Sequence, residues 1–167
     1  FIRFSMAILN QKTINKILYF EGITLHKGKN AKMKILPSEP NSGIVFKRTD
    51  LIKDNLISAN FFNVSDATLC TTLTNEANVK VSTVEHLMAA FYGMGVDNAL
   101  VEIDQEEIPI MDGSSKAFVE AIKKSGLRNS STPIKIIKIL NKVEIKHNNK
   151  YISIEPTNTT LEIDFEI

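Results

Sequence analysis

Two stretches of helical periodicity among many short strand-like runs are the feature that most constrains the fold of this chain. In the first stretch, the apolar residues Val84, Leu87, Met88 and Phe91 follow the i, i+3, i+4, i+7 spacing of a helix with one buried face. The second stretch covers 114–125 and ends at a glycine, a residue that commonly terminates helices. Two amphipathic helices among short strands predict an α+β fold.

Short apolar runs bounded by Gly, Pro and Asn predict the strands and the helix ends. Ser82 or Thr83 is the predicted N-cap of the first helix. Asn148-Asn149 predicts a hairpin turn because Asn tolerates positive φ. The predicted strands are at 14–20, 33–37, 44–46, 68–73, 79–81, 98–104, 134–146, 150–155 and 160–167.

A polar segment predicts a domain boundary late in the chain. Residues 125–133 contain Gly, Asn, three Ser and Pro, a composition typical of linkers. We therefore expect a first α+β domain over 6–127, a joint at 128–133 and the start of a second domain over 134–167. The chain does not begin with Met, and it ends within an alternating pattern. We interpret it as a fragment with Met6 as the native start.

Composition excludes several classes of function. Lys+Arg number 20 and Asp+Glu 19, so the chain has no overall positive field for nucleic acid. Cys70 is the only cysteine, which excludes an internal disulfide or a cysteine metal cluster and favours a reducing, cytoplasmic location. The sequence contains no run of about 18 apolar residues, so no membrane-spanning helix is predicted.

The adjacent pair Glu85-His86 is the best indication of chemistry. A neutral imidazole can bind a metal, and a neighbouring carboxylate can take a proton from metal-bound water. At 100° per residue, His86 lies about 200° from Val84, away from the apolar stripe and beside two alanines. The alternative is a solvated Glu that suits the helix dipole, next to a surface His.

The other reactive residue types have simpler explanations. His26 lies in a loop between glycines, and His147 lies in the predicted hairpin turn. Cys70 is more typical of a buried small hydrophobe than of a nucleophile. Asp112-Gly113-Ser114 is explained by a turn and a helix cap, since the Gly-x-Ser-x-Gly elbow is absent. Composition and spacing by themselves therefore indicate an α+β protein with a hint of metal-hydrolase chemistry.

Five motifs in order resemble those of one family, the UDP-3-O-acyl-N-acetylglucosamine deacetylases, which are zinc enzymes of bacterial lipid A synthesis. The resemblance covers roughly Gln11 to the last residue. The motifs are Gly-Ile-Thr-Leu-His-Lys-Gly at 22–28, Phe-Lys-Arg-Thr-Asp-Leu at 46–51, Ser-Thr-Val-Glu-His-Leu-Met-Ala-Ala at 82–90, Gly-Val-Asp-Asn-Ala at 95–99 and Glu-Ile-Pro-Ile-Met-Asp-Gly-Ser at 107–114.

The resemblance implies a fold and a set of site residues. Family members have two similar domains, each with two helices packed on a sheet in a two-layer sandwich, and this chain would hold the first domain and the opening strands of the second. It implies that His86 is a Zn²⁺ ligand and that Glu85 is the general base. The residues implied to contact the substrate are Leu69, Cys70, His26 and, near the diphosphate, Lys150.

The resemblance also implies that this chain lacks part of the site. A catalytic zinc usually takes three protein ligands, and the family supplies the other two, with a second catalytic His, from the second domain. After Lys150 the chain has no histidine. We therefore expect the full-length parent, a monomer, to remove the N-acetyl group of a UDP-acyl-aminosugar and this segment alone to be inactive. The alternatives are a non-catalytic α+β binding module or another metal amidohydrolase.

Overall fold

The computed structural model describes residues 9–158 and 162–166, and the chain divides into two compact units, Phe1–Ile134 and Lys135–Ile167. In the first unit the strands are β1 (Asn10–Ile14), β2 (Leu18–Ile23), β3 (Asn30–Pro37), β4 (Ile44–Arg48), β5 (Leu56–Ser58), β6 (Val64–Asp66), β7 (Thr72–Thr74), β8 (Lys80–Ser82), β9 (Ala99–Ile103) and β10 (Leu127–Pro133). The helices are α1 (Glu85–Met94) and α2 (Lys116–Ser125), and Phe61–Asn63 forms a short 3₁₀ helix.

A five-stranded sheet in the order β2-β3-β9-β4-β5 forms one layer of the first unit. All its pairings are antiparallel except that between β4 and β9, which is parallel. Alternate residues of its central strands are buried, as the period of two in β structure requires. Met33 lies opposite Ile103, and Ile35 lies opposite Val101. These side chains form the sheet side of the core.

The two helices form the other side of the same core. α1 contacts α2, and α2 contacts β2. The Phe118 ring on α2 meets the Phe20 ring on β2 edge to face, with centroids 5.0 Å apart. In α1 the predicted stripe is buried at Leu87 and Phe91, and Ala90 is fully buried as well. The α+β fold with two helices and a mainly antiparallel sheet is therefore confirmed.

Several strand boundaries differ from those predicted. The predicted strand at 14–20 is two strands, β1 and β2, because residues 15–17 form a bend between them. The run at 68–73 enters a strand only at β7, which pairs with β6 and β8 in a three-stranded sheet. Long apolar or β-branched runs mark strand-forming sequence but do not mark the turns inside it.

Residues 128–133, predicted as a polar joint, lie instead in β10, which pairs antiparallel with β1. The Gln11 amide also donates to the Pro133 carbonyl oxygen at 3.0 Å and to Asn41 Oδ1 at 2.9 Å. Strand pairing uses backbone groups, so a polar sequence does not prevent it. The division of the chain into a first domain, a joint and a second domain stays a prediction.

Two of the resembling motifs have structural roles. Arg48 is buried, and its guanidinium binds both carboxylate oxygens of Asp50, at 2.8 and 2.6 Å, and the Lys80 carbonyl oxygen at 2.8 Å. Asn98 is buried and binds the Gln11 side chain at 3.0 Å and the Gly43 N–H at 3.0 Å. The first network joins β4 to β8, and the second joins the residue that precedes β9 to β1.

The second unit contains one hairpin among its described residues, β11 (Val143–His147) and β12 (Lys150–Ile154). Asn148 has φ 54°, which confirms the predicted asparagine turn. Residues 134–142 are not a strand after β10 ends, so the long strand predicted at 134–146 is wrong over its first part. Of the strand predicted at 160–167, residues 160, 161 and 167 lie outside the described residues, and 162–166 are not in a strand.

The helices of the described residues are α1 and α2, of 10 residues each, and neither is long and apolar enough to cross a membrane.

Candidate functional site

The pair Glu85-His86 opens helix α1 at a point where a neighbouring segment is tied to it. Both side chains are half-buried. The Thr71 N–H donates to Oε2 of Glu85 at 3.1 Å, and the Val84 N–H donates to the Thr71 carbonyl oxygen at 3.5 Å. The Glu85 Oε1 atom has no hydrogen-bond partner within the described part of the chain. One carboxylate oxygen is therefore fixed while the other remains available.

The bond from Thr71 brings the segment that contains Leu69 and Cys70 to the start of α1. Leu69 is 83% exposed. Cys70 is half-buried, and its sulfur lies 3.8 Å from Thr72 Oγ1. These two residues, far from Glu85 in sequence, lie within two residues of its hydrogen-bond partner.

The helix begins differently from the prediction of a Ser82 or Thr83 cap. Val84 is the N-cap residue and provides no side-chain hydrogen bond, while Ser82 ends β8. Thr83 has φ 60°, a left-handed conformation that is unusual for a β-branched residue and costs about 1–3 kcal/mol. The Thr83 hydroxyl does not cap the helix because it donates to Glu107 Oε1 at 3.0 Å.

Glu107 is a buried carboxylate, 1% exposed, that joins two separate segments. Besides the Thr83 hydroxyl, Oε1 accepts the His26 N–H at 2.9 Å, and Oε2 accepts the Lys27 N–H at 3.1 Å. Burial alone would raise the pKa of Glu107, but the bonds from His26, Thr83 and Lys27 outweigh it and hold the pKa below the ordinary value. Glu107 is therefore held as a carboxylate at neutral pH.

The backbone around Glu107 makes the same connection. The Ser82 N–H donates to the Glu106 carbonyl oxygen at 2.9 Å, and the Ile108 N–H donates to the Ser82 carbonyl oxygen at 3.1 Å. Further along, the Ile110 N–H donates to the Ile23 carbonyl oxygen at 3.0 Å. The extended segment 106–110 thus lies between the strand that leads into α1 and the strand that leads into the His26 loop.

The predicted site residues of the first unit lie at the start of α1, on the segment linked to it and on the His26 loop. Glu85 and His86 lie at the start of α1, and the segment that contains Leu69 and Cys70 is linked to Glu85 through the Thr71 N–H. The exposed His26 lies on the loop that Glu107 connects to Thr83. Lys150 is exposed at the start of β12 in the second unit, opposite the exposed His147 in the hairpin.

Three contributors to this arrangement were missed in the sequence: Thr71, Thr83 and Glu107. Thr71 acts through its backbone, which leaves no signal in the sequence. Glu107 had one available signal, because an acidic residue at the start of the apolar run Ile-Pro-Ile is a candidate for a buried, hydrogen-bonded carboxylate.

The residues at the start of α1 offer one strong metal ligand. His86 provides an imidazole, which zinc binds well. Among residues 9–158 and 162–166, no group of three or more His, Cys, Asp or Glu side chains could hold a metal ion. The donor set fits one ligand position of a zinc site and does not complete it.

The fold and this arrangement define an α+β domain that presents a carboxylate and an imidazole side by side at the start of a helix. The model of one protein family, described as UDP-3-O-acyl N-acetylglycosamine deacetylase, matches residues 11–167. The chain belongs to that family.

The chain is also similar to curated proteins named UDP-3-O-acyl-N-acetylglucosamine deacetylase. It is 39% identical to that of Shewanella frigidimarina (strain NCIMB 400) over 94% of this chain and 51% of the relative. It is 39% identical to that of Vibrio cholerae serotype O1 over 96% of this chain and 52% of the relative. The chain therefore spans about half the length of the curated relatives it matches.

Proposed function

We propose that the full-length protein containing this chain is a zinc-dependent hydrolase that removes the N-acetyl group from UDP-3-O-acyl-N-acetylglucosamine. The released product is acetate, and the reaction is an early step of lipid A synthesis. Membership of the family and the names of the relatives support the substrate. The observation that carries the proposal is the half-buried Glu85-His86 pair, with one Glu85 oxygen fixed by the Thr71 N–H and the other available.

In this proposal His86 provides one ligand of the zinc ion. A bound zinc ion supplies Lewis acidity that polarises an amide carbonyl and lowers the pKa of water. Glu85 acts as the general base and takes a proton from the attacking water at Oε1, while the Thr71 N–H keeps the carboxylate oriented through Oε2. This division between an oriented and a reactive oxygen suits a residue that must accept a proton at a fixed place.

Four further residues are proposed to contact the substrate. Leu69 offers an exposed apolar side chain beside the half-buried Cys70. His26 offers an exposed imidazole on the loop connected to Thr83 through Glu107. Lys150 is exposed and offers a cation for the diphosphate.

The same reasoning gives an expectation for the segment alone. Because its described residues contain no group of three potential metal ligands, we expect the 167-residue segment by itself to have no turnover. For the full-length protein we propose a monomer located in the cytoplasm, and a free cysteine is usual in such a reducing compartment.

The test uses the full-length protein and measures acetate release from UDP-3-O-acyl-N-acetylglucosamine. Activity should disappear after exhaustive chelation and return when Zn²⁺ is added. His86→Ala should lose bound zinc, measured by metal analysis, whereas the matched control His147→Ala, at an exposed histidine in the hairpin turn, should keep it. Undiminished hydrolysis after complete removal of metal would refute the proposal.

A further inference from the structure

We infer that Glu107 is a positioning residue, whose carboxylate holds the His26 loop and the turn at Thr83 in one arrangement so that Glu85-His86 and His26 face the same substrate. This inference rests on the proposed hydrolase function and extends it to a residue that does not touch the reacting atoms. Its action is indirect, through the backbone of His26 and the side chain of Thr83.

The geometry that carries the inference is the sharing of one oxygen. The His26 N–H and the Thr83 hydroxyl both donate to Oε1 of Glu107, at 2.9 and 3.0 Å. The two donor atoms can therefore be no farther apart than the sum of those distances, although the residues lie far apart in sequence. The second oxygen holds the next residue of the same loop through the Lys27 N–H at 3.1 Å.

The hydrogen bond between Thr83 and Glu107 holds Thr83 in a strained backbone conformation. A threonine at φ 60° is strained, and such a residue persists only where its surroundings determine it. The hydrogen bond to Glu107 is the side-chain contact that holds it. Glu85 follows two residues later as the first residue of α1, so a change at Thr83 alters how the chain enters the helix and where Glu85 and His86 point.

The chemistry of the three donors requires a carboxylate. Two N–H groups and one O–H group converge on Glu107, and both of its oxygens accept. In Glu107→Gln the side chain keeps its shape, but its NH₂ group replaces one acceptor and faces a donor. The side chain is 1% exposed, so water cannot readily replace the lost bond.

The experiment compares Glu107→Gln with Glu106→Gln in the full-length zinc-loaded protein. Glu106 is the matched control, because its side chain makes only a half-exposed ion pair with Lys27 Nζ at 2.8 Å. At a temperature where circular dichroism shows all proteins folded, Glu107→Gln should lower kcat on the order of 10-fold to 100-fold, as a misplaced catalytic group does. Glu106→Gln should stay within about twofold of wild type, as expected for an exposed pair.

A second measurement separates this inference from the proposed function. Hydrogen exchange of the His26 and Lys27 amides should accelerate in Glu107→Gln and remain unchanged in Glu106→Gln. A folded Glu107→Gln protein with wild-type kcat and KM would overturn the inference and leave the proposed function standing. Absence of deacetylase activity in the wild-type protein would instead overturn the proposed function on which the inference rests.

If Glu107→Gln does not fold, the same idea is tested at Thr83. Thr83→Val keeps the shape and removes the hydroxyl, while Thr83→Ser keeps the hydroxyl. If Glu107 acts through the Thr83 hydroxyl, kcat should fall severalfold in Thr83→Val and should stay close to the wild-type value in Thr83→Ser. Equal kcat values in the two folded variants would overturn the inference.

Discussion

Replacing Glu85 by Gln and by Ala in the full-length protein separates its chemical role from its structural role. In Glu85→Gln the amide oxygen can still accept the Thr71 N–H, whose present bond to Oε2 is 3.1 Å long. The anchor is kept, and the general base is lost. In Glu85→Ala both are lost, and the Thr71 N–H, part of a half-buried contact, loses its protein acceptor.

The expected magnitudes follow from this difference. Both variants should lose on the order of 10²-fold or more in kcat, the usual contribution of a general base. Glu85→Gln should keep its free energy of unfolding within about 0.5 kcal/mol of wild type, because the hydrogen bond persists. Glu85→Ala should lose about 1 kcal/mol, the net contribution of one hydrogen bond, with water partly replacing it at a half-buried position.

The assays are steady-state acetate release and urea unfolding of the same preparations, with bound zinc measured by metal analysis. Zinc content should stay close to wild type in both variants, because Glu85 is not assigned as a ligand. A Glu85→Gln protein that retains zinc and normal kcat would refute the assignment of the base. Loss of zinc in that variant would refute the division of roles between Glu85 and His86.

Three other predictions concern stability and substrate contact. The folded-state pKa of Glu107 lies below its ordinary value of 4.5, so its carboxylate stabilises the fold above pH 4.5, and this contribution disappears as the pH falls through the folded-state pKa. Glu107→Gln should therefore weaken the acid-induced loss of stability, measured by urea unfolding across pH. An unchanged pH dependence in the variant would contradict this prediction. Phe118→Ala should lower the free energy of unfolding by about 3–5 kcal/mol, since the ring is fully buried against Phe20, and a loss below about 1 kcal/mol would contradict the packing described. Leu69→Ala should raise KM severalfold and change the free energy of unfolding by no more than about 0.5 kcal/mol. The control Ile52→Ala, at a residue 96% exposed, should leave both KM and the free energy of unfolding unchanged. An unchanged KM for Leu69→Ala would remove Leu69 from the substrate site.

Much of the fold was predictable because it depends on local pattern. The apolar spacing that includes Leu87 and Phe91 gave helix α1, and both residues are buried. Gly95 and Gly126 end the two helices with positive φ, a conformation that costs glycine little. The strand at 98–104 was close to β9 because buried and half-buried residues alternate along it.

Two features that the sequence did not indicate involve partners distant in sequence. Residues 128–133 have a linker composition, yet they form a strand because β1 offers backbone hydrogen bonds to them. Thr83 is of a residue type favoured at helix N-caps, yet its hydroxyl donates to Glu107, which lies 24 positions away in sequence. Propensity describes what a residue does in isolation, and such long-range contacts override it.

The sequence by itself determined the two helices, the sheet-forming alternation and the adjacent placement of Glu85 and His86, since each depends on residues close together in the chain. Only the tertiary structure decided which oxygen of Glu85 is fixed, because its partner is the backbone N–H of Thr71. Only the tertiary structure joined the His26 loop to Thr83, because a buried carboxylate selects its donors by position in space. Backbone groups are nearly the same at every residue, so folding alone determines which of them meet a given side chain.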